Sequence, residues 1–140
     1  QLRIGEGIYS PLIQKGTADI VIALERTEAL RGIQNYLKPS GTVIYYNTSW
    51  QTLGVRLEET EEVKKEDIEQ AAEKKEADVI EVYKEDLDDT RMQNVVLLAE
   101  ILKRDILPDI KKDNYITALK DLMAGDKLEN NLNLFNSLLS

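Results

Sequence analysis

The spacing of apolar residues changes several times along this chain, and each change predicts a new element. Ala18–Leu24 is almost continuously apolar and rich in β-branched residues, which is typical of a strand covered on both faces and predicts a central strand. Ala29–Leu37 has apolar residues at helical spacing, and the following Lys38-Pro39-Ser40-Gly41 should end that helix. Thr42–Asn47 then predicts a second strand.

The alternation continues through the middle of the chain. Glu66–Lys75 predicts a short charged helix and Asp78–Tyr83 a third strand, so the order is βαβαβ. Connections of this length favour a parallel sheet with right-handed crossovers. Before them, Gly5-Glu6-Gly7 separates two short extended segments of Gln1–Ile13, which predicts an N-terminal hairpin. The predicted fold class is α/β: one domain over residues 1–140, with three α/β/α layers around a mostly parallel, mixed sheet.

The last third of the chain is predicted to be helical. Thr90 and Gln93 have the spacing of a capping box ahead of an apolar stripe that stops before Pro108. Asp113 is placed to cap the next helix, and Gly125 to close it. A final helix should follow and dock or fray, because its asparagines lower helix propensity.

The amino-acid composition limits the functions that this chain can perform. The longest uninterrupted apolar runs are five residues, too short to span a bilayer. Eighteen basic residues against 26 acidic residues give a net charge of −8, which disfavours nucleic acid as a partner. The sequence contains no cysteine and no histidine, so thiolate nucleophiles, cysteine-ligated iron–sulfur clusters and histidine proton shuttles are excluded. A binding or assembly domain is favoured over a self-sufficient enzyme.

The negative charge is concentrated between residues 57 and 89. This segment holds fifteen acidic residues and five lysines, a net charge of −10. Such a run is usually a solvated face, and the alternative is a docking face for a basic partner. Carboxylate pairs such as Asp88 and Asp89 arise by chance in an acidic stretch, so no metal site is predicted.

Ligands of open α/β sheets collect beyond the carboxyl ends of the strands. The polar residues at those positions make Glu25, Asn47 and Thr48 the candidate ligand-binding residues. The alternative is structural: Thr27 would cap the helix, and residues 47–49 would form a turn. No catalytic residue is predicted.

Trp50 is the candidate interface residue. It follows the second predicted strand in polar surroundings, and large aromatic side chains dominate interface energetics. The alternative is that this tryptophan is simply buried.

A series of short segments resembles a known family. They are Leu2-Arg3-Ile4-Gly5, Ile8-Tyr9-Ser10-Pro11-Leu12-Ile13, the stretches 16–25, 28–31 and 36–44, Asn47-Thr48 and Asn94-Val95-Val96-Leu97-Leu98. Together they resemble the gamma subunit or domain of 2-oxoacid:ferredoxin oxidoreductases, with the indolepyruvate-type beta subunit as the nearest branch. Members of that family open with a strand, a glycine-rich turn and a helix ahead of the first matching segment. The resemblance therefore implies a domain that lacks its first strand and helix.

The resemblance implies a multisubunit complex that oxidatively decarboxylates a 2-oxo acid, such as indolepyruvate or pyruvate, to an acyl-coenzyme A and passes electrons to ferredoxin. It implies that thiamine diphosphate and the iron–sulfur clusters belong to other subunits, that this chain alone binds no cofactor, and that it works as a cytoplasmic oligomer. Two alternatives stay open: a stand-alone α/β domain that binds coenzyme A or a nucleotide, and a protein–protein interaction module.

Overall fold

A computed structural model describes residues 1–49 and 61–140. The chain forms two compact units, Gln1–Glu81 and Val82–Ser140. A single domain over residues 1–140 stays a prediction.

The first unit is built on a parallel sheet. Its strands are β1 (Ala18–Ala23), β2 (Leu37–Tyr46) and β3 (Asp78–Val82), in the spatial order β1-β2-β3. Within the described residues β2 is therefore central and β1 lies at an edge, so the prediction of a central first strand was wrong. On this edge strand the side chain of Ile22 is 50% exposed. An apolar run alone does not distinguish a central strand from an edge strand.

Helices α1 (Arg26–Asn35) and α2 (Lys65–Glu73) contact each other and share one apolar core with the strands. The core joins residues of β1 and β2 to the inward faces of both helices: Ala23, Ala29, Ile33, Leu37, Val43, Tyr45, Ile68 and Ala72. Alternating strands and helices packed in this way confirm the α/β class.

The second strand starts five residues earlier than predicted. Leu37 pairs with Ala18 instead of ending α1, and the next pair is Ile20 with Thr42. Between these two pairs β1 advances by two residues and β2 by five, so β2 carries an irregularity that includes Ser40, whose φ is +56°. Pro39 lies within this irregularity, where its missing N–H interrupts no regular ladder.

The N-terminal hairpin prediction was wrong. Residues 1–17 contain no strand, although the chain does turn at Gly5 and Gly7, whose φ values of +144° and +66° favour glycine. The two limbs are joined through side chains. Arg3 Nη1 donates to the Ser10 carbonyl at 2.9 Å, and the backbone N–H of Ile13 donates to Gln1 Oε1 at 2.7 Å. Because no antiparallel ladder forms there, the sheet of the described residues is parallel and not mixed.

The second unit confirms the helical last third of the chain. A 3-10 turn (Thr90–Met92) leads into α3 (Gln93–Lys103), followed by α4 (Lys112–Leu122) and α5 (Gly125–Leu139). Both α3 and α4 contact α5, where Phe135 is fully buried and its ring stacks on Tyr115 with centroids 5.8 Å apart. Docking of the final helix is therefore confirmed. Within residues 1–49 and 61–140, no helix has both the length and the apolar character needed to cross a bilayer.

The predicted helix ends in this unit were wrong in detail. Asp89, and not Thr90, caps the 3-10 turn by accepting the N–H of Arg91 at 2.9 Å. Asn114, and not Asp113, accepts the N–H of Lys111 at 2.8 Å ahead of α4. Gly125 adopts a left-handed conformation, with a φ of +58°, but it is the first residue of α5.

Candidate binding site at the carboxyl edge of the sheet

The carboxyl ends of β1 and β2 and the N-termini of α1 and α2 bring polar side chains together in the first unit. Parallel strands place their carboxyl ends at one edge, which is where ligands of such sheets bind. We call this group the carboxyl-edge cluster: Glu25, Arg26, Tyr45, Asn47, Glu62, Lys65 and Glu81.

Glu25 is engaged in the fold. Its Oε2 accepts the N–H of Thr27 at 2.9 Å, and its Oε1 accepts the N–H of Glu28 at 2.7 Å. A carboxylate in this place satisfies two otherwise unpaired donors and complements the positive end of the helix dipole. The alternative prediction that this segment caps the helix is therefore confirmed, but the capping residue is Glu25 and not Thr27. Its role in ligand binding stays a prediction.

Asn47 links the sheet to α2. Its Nδ2 donates to Glu81 Oε1 at 2.7 Å, and Glu81 Oε2 forms an ion pair with Lys65 Nζ. The hydrogen bond to Glu81, followed by the charge of Glu81, raises the pKa of Lys65. This chain of contacts joins the end of β2 to β3 and to the first turn of α2.

Thr48 acts here through its backbone. Its carbonyl accepts the N–H of Arg26 at 2.9 Å, and its own N–H donates to the carbonyl of Tyr46 at 2.8 Å. These contacts agree with the structural alternative of a tight turn after β2, and they fix the position of Asn47 relative to α1.

Three buried polar atoms of the cluster have no hydrogen-bond partner within the part of the chain that the structure describes. They are Tyr45 Oη, Asn47 Oδ1 and Arg26 Nε. The same arginine donates from Nη2 to Glu62 Oε1 at 3.1 Å. Burial, followed by the charge of Glu81, raises the pKa of the Tyr45 phenol, so this group is a protonated donor at neutral pH.

The sequence pattern found part of this cluster. Glu25 and Asn47 were placed at the edge correctly, whereas Tyr45 and Glu81 were not among the predicted site residues. Tyr45 could have been found from its place near the carboxyl end of β2, where ligands of such sheets bind. Glu81 lies 34 positions from Asn47, and no local pattern reveals such a contact. Trp50, the candidate interface residue, lies outside the described residues.

The donor set bears on which cofactors this chain fits. It offers no cysteine thiolate for an iron–sulfur cluster. Over residues 1–49 and 61–140, no group of three or more carboxylates is arranged to hold a metal ion. The sequence therefore does not fit a cysteine-bound iron–sulfur cluster.

The match to a protein family covers almost the whole chain. Residues 1–138 match the family described as "Pyruvate ferredoxin/flavodoxin oxidoreductase". The protein belongs to this family, which confirms the resemblance to 2-oxoacid:ferredoxin oxidoreductases.

Among individual proteins, the chain is similar to "Indolepyruvate oxidoreductase subunit IorB" of Thermococcus kodakarensis. The two are 45% identical over 42 residues, which is 30% of this chain and 20% of that relative. The aligned segment thus spans about a fifth of the relative's length. No solved structure matches the chain.

Proposed function

We propose that this chain is a non-catalytic subunit or domain of a multisubunit 2-oxoacid:ferredoxin oxidoreductase. In this proposal the complex works in the cytoplasm, decarboxylates a 2-oxo acid such as indolepyruvate or pyruvate to an acyl-coenzyme A, and delivers electrons to ferredoxin. Thiamine diphosphate and the iron–sulfur clusters are carried by partner chains. This chain supplies a gamma-type α/β scaffold for the assembly.

One observation carries the proposal: the family match runs over residues 1–138, yet these residues contain neither cysteine nor histidine. Redox clusters and imidazole acid–base catalysis must then come from elsewhere in the complex. The carboxylate of Glu25 is engaged with helix N–H groups, and that of Glu81 with Lys65 and Asn47. These contacts support a scaffold role for both residues. The relative named as an oxidoreductase subunit supports the multisubunit setting.

Trp50 and the acidic segment are the proposed contacts with the partners. We expect Trp50→Ala to reduce recovery of partner chains with the tagged chain, because truncating a buried interface aromatic usually weakens binding strongly. Tyr9→Ala is the aromatic control, since Tyr9 is 98% exposed in the N-terminal segment. If both variants recover partners as the unaltered chain does, Trp50 is not an interface anchor.

Gentle purification of the affinity-tagged chain from its native source tests the proposal. We expect co-purifying chains with bound thiamine diphosphate, iron–sulfur absorbance and reduction of a viologen dye that depends on a 2-oxo acid. The chain purified without partners should be inactive in the same assay. The proposal is wrong if the tagged chain is recovered without such partners, or if the isolated chain turns over a 2-oxo acid by itself.

A further inference from the structure

Three atoms at the carboxyl edge stand out because buried polar atoms in folded proteins nearly always have a hydrogen-bond partner. Tyr45 Oη, Arg26 Nε and Asn47 Oδ1 are each buried, and none has a partner among the described residues. Tyr45 as a whole is fully buried. Leaving one such group unsatisfied is costly, so three in one cluster point to a bound group that satisfies them.

The contacts place these atoms at the same end of the sheet. Tyr45 is the last residue but one of β2 and Asn47 follows the strand directly, so both lie at its carboxyl end. Glu81 accepts a hydrogen bond from Asn47, and its charge also acts on the Tyr45 phenol. The charge of Arg26 acts on the same phenol, and the Arg26 backbone is bonded to Thr48, next to Asn47.

The donors and acceptors define the chemistry of a ligand that would satisfy these three atoms. The Tyr45 hydroxyl and Arg26 Nε each offer a hydrogen to an acceptor, whereas Asn47 Oδ1 needs a donor. A carbonyl oxygen accepts two hydrogen bonds and an adjacent N–H donates one, which is the pattern of an amide.

The charges disfavour an anion. Arg26 is already paired with Glu62, and Lys65 with Glu81. Glu25 and Glu69 also lie in or beside the cluster, so its carboxylates outnumber its cations by two. A carboxylate or phosphate placed there would meet net repulsion, whereas a neutral amide would not.

We propose that the carboxyl edge binds a neutral amide group of a small ligand, through Tyr45 Oη, Arg26 Nε and Asn47 Oδ1. The amide oxygen accepts from Tyr45 and Arg26, and the amide N–H donates to Asn47. This proposal does not depend on assembly with other subunits, because every residue it uses lies in the first unit.

Titration of the full chain with two neutral diamides tests the proposal. Both compounds contain two amide groups: pantetheine also carries a thiol, and N-acetylglycine methylamide resembles a peptide. Pyruvate is the anionic comparison. Binding is followed by NMR through the side-chain amide signals of Asn47. The diamide that binds more tightly shows whether the amide belongs to a pantetheine-like or to a peptide-like ligand. We expect pyruvate at equal concentration to leave the Asn47 signals unchanged.

Tyr45→Phe supplies the matched variant, because it removes one oxygen and keeps the buried ring. We expect it to weaken diamide binding about fivefold to tenfold, the usual effect of one hydrogen bond. Tyr115→Phe is the control, since Tyr115 is also buried and its hydroxyl has no hydrogen-bond partner among the described residues, but it lies in the second unit. It should leave the affinity unchanged.

The proposal is overturned if neither diamide binds saturably, if pyruvate shifts the Asn47 signals more than the diamides do, or if both tyrosine variants weaken binding equally. Because the unaltered chain is titrated directly, the result stands even if Tyr45→Phe fails to fold. It is also independent of the co-purification result, so failure of either proposal is recognised separately.

Discussion

At the scale of single residues, several polar side chains that look available for chemistry are used to hold the chain in place. Glu25 is the clearest case, because both of its carboxylate oxygens accept backbone N–H groups of the first turn of α1. The contribution of Glu25 to the free energy of unfolding can be measured without knowledge of any ligand.

Glu25→Ala should lower the free energy of unfolding by about 1 kcal/mol, the usual cost of losing an N-cap. Urea unfolding followed by circular dichroism measures the change. The control is Glu28→Ala, which removes an exposed carboxylate paired with Arg31 at 2.7 Å and should cost less, about 0.5 kcal/mol or below. An equal effect of the two substitutions would mean that the cap contributes nothing beyond a surface charge.

The ionisation of Asp89 should make its contribution to stability depend on pH. The side-chain hydrogen bonds of Arg91, followed by its backbone N–H, lower the pKa of Asp89 from 3.8 to about 2. Because the folded-state pKa is depressed, the stabilisation is fully present above the unfolded value and is lost as pH falls from about 4 to about 2.

Carbon-detected NMR titration of the Asp89 carboxyl group should give this depressed pKa. In Arg91→Gln the pKa should move back toward its ordinary value, because the charged donor is removed. A pKa of Asp89 that does not respond to Arg91→Gln would contradict the assignment.

At the scale of elements, local patterns predicted which segments form strands and helices but not how the strands meet. The apolar runs correctly located β1 and β3, and helical spacing located α1. The start of β2 was missed because Pro39 and Gly41 are normally breakers, whereas here they lie in an irregularity fixed by the pairing of Leu37 with Ala18. Such long-range pairing leaves no trace in local spacing.

The same limit applied to the candidate site. Glu25 and Asn47 follow their strands directly, so strand prediction was enough to place them. Glu62, Lys65 and Glu81 come from distant parts of the chain and are brought to the edge only by the packing of α2 and β3. Their charges could be counted in the sequence, but their partners could not be assigned.

The contact between α1 and β1 gives an element-scale prediction. A Cβ at Gly32 would lie 2.5 Å from Val21 Cγ1, and the stiff, branched valine has little freedom to move away. Gly32→Ala should therefore reduce the free energy of unfolding by about 1–3 kcal/mol, although alanine is the better helix former. Urea unfolding provides the measurement.

Val21→Ala in the Gly32→Ala background is the decisive comparison. Removing the two methyl groups of Val21 makes room for the new Cβ, so the double variant should lose less stability than the sum of the two single variants. Additive losses would show that the close approach of α1 to β1 is not what requires glycine here.

At the scale of the whole molecule, the net negative charge acts over the longest distances. The net charge is −8, and the segment from residue 57 to residue 89 alone carries −10. Ion pairs such as Lys65–Glu81 and Arg26–Glu62 offset part of this repulsion, but the acidic residues remain in excess. A protein with this imbalance is destabilised by its own charges when little salt is present.

The chain should therefore become more heat-stable as salt is added. Raising the ionic strength from about 0.01 M to about 0.15 M shortens the screening length from about 30 Å to about 8 Å, which weakens repulsion between separated carboxylates more than attraction within close pairs. Thermal unfolding at fixed pH across a sodium chloride series measures the effect. Replacing Glu66, Glu73 and Glu76, all exposed, with glutamine should raise the Tm at low salt and flatten its dependence on salt. A Tm that falls as salt is added would mean that the ion pairs outweigh the repulsion, and the acidic segment would then stabilise the fold through its pairing with lysine and arginine.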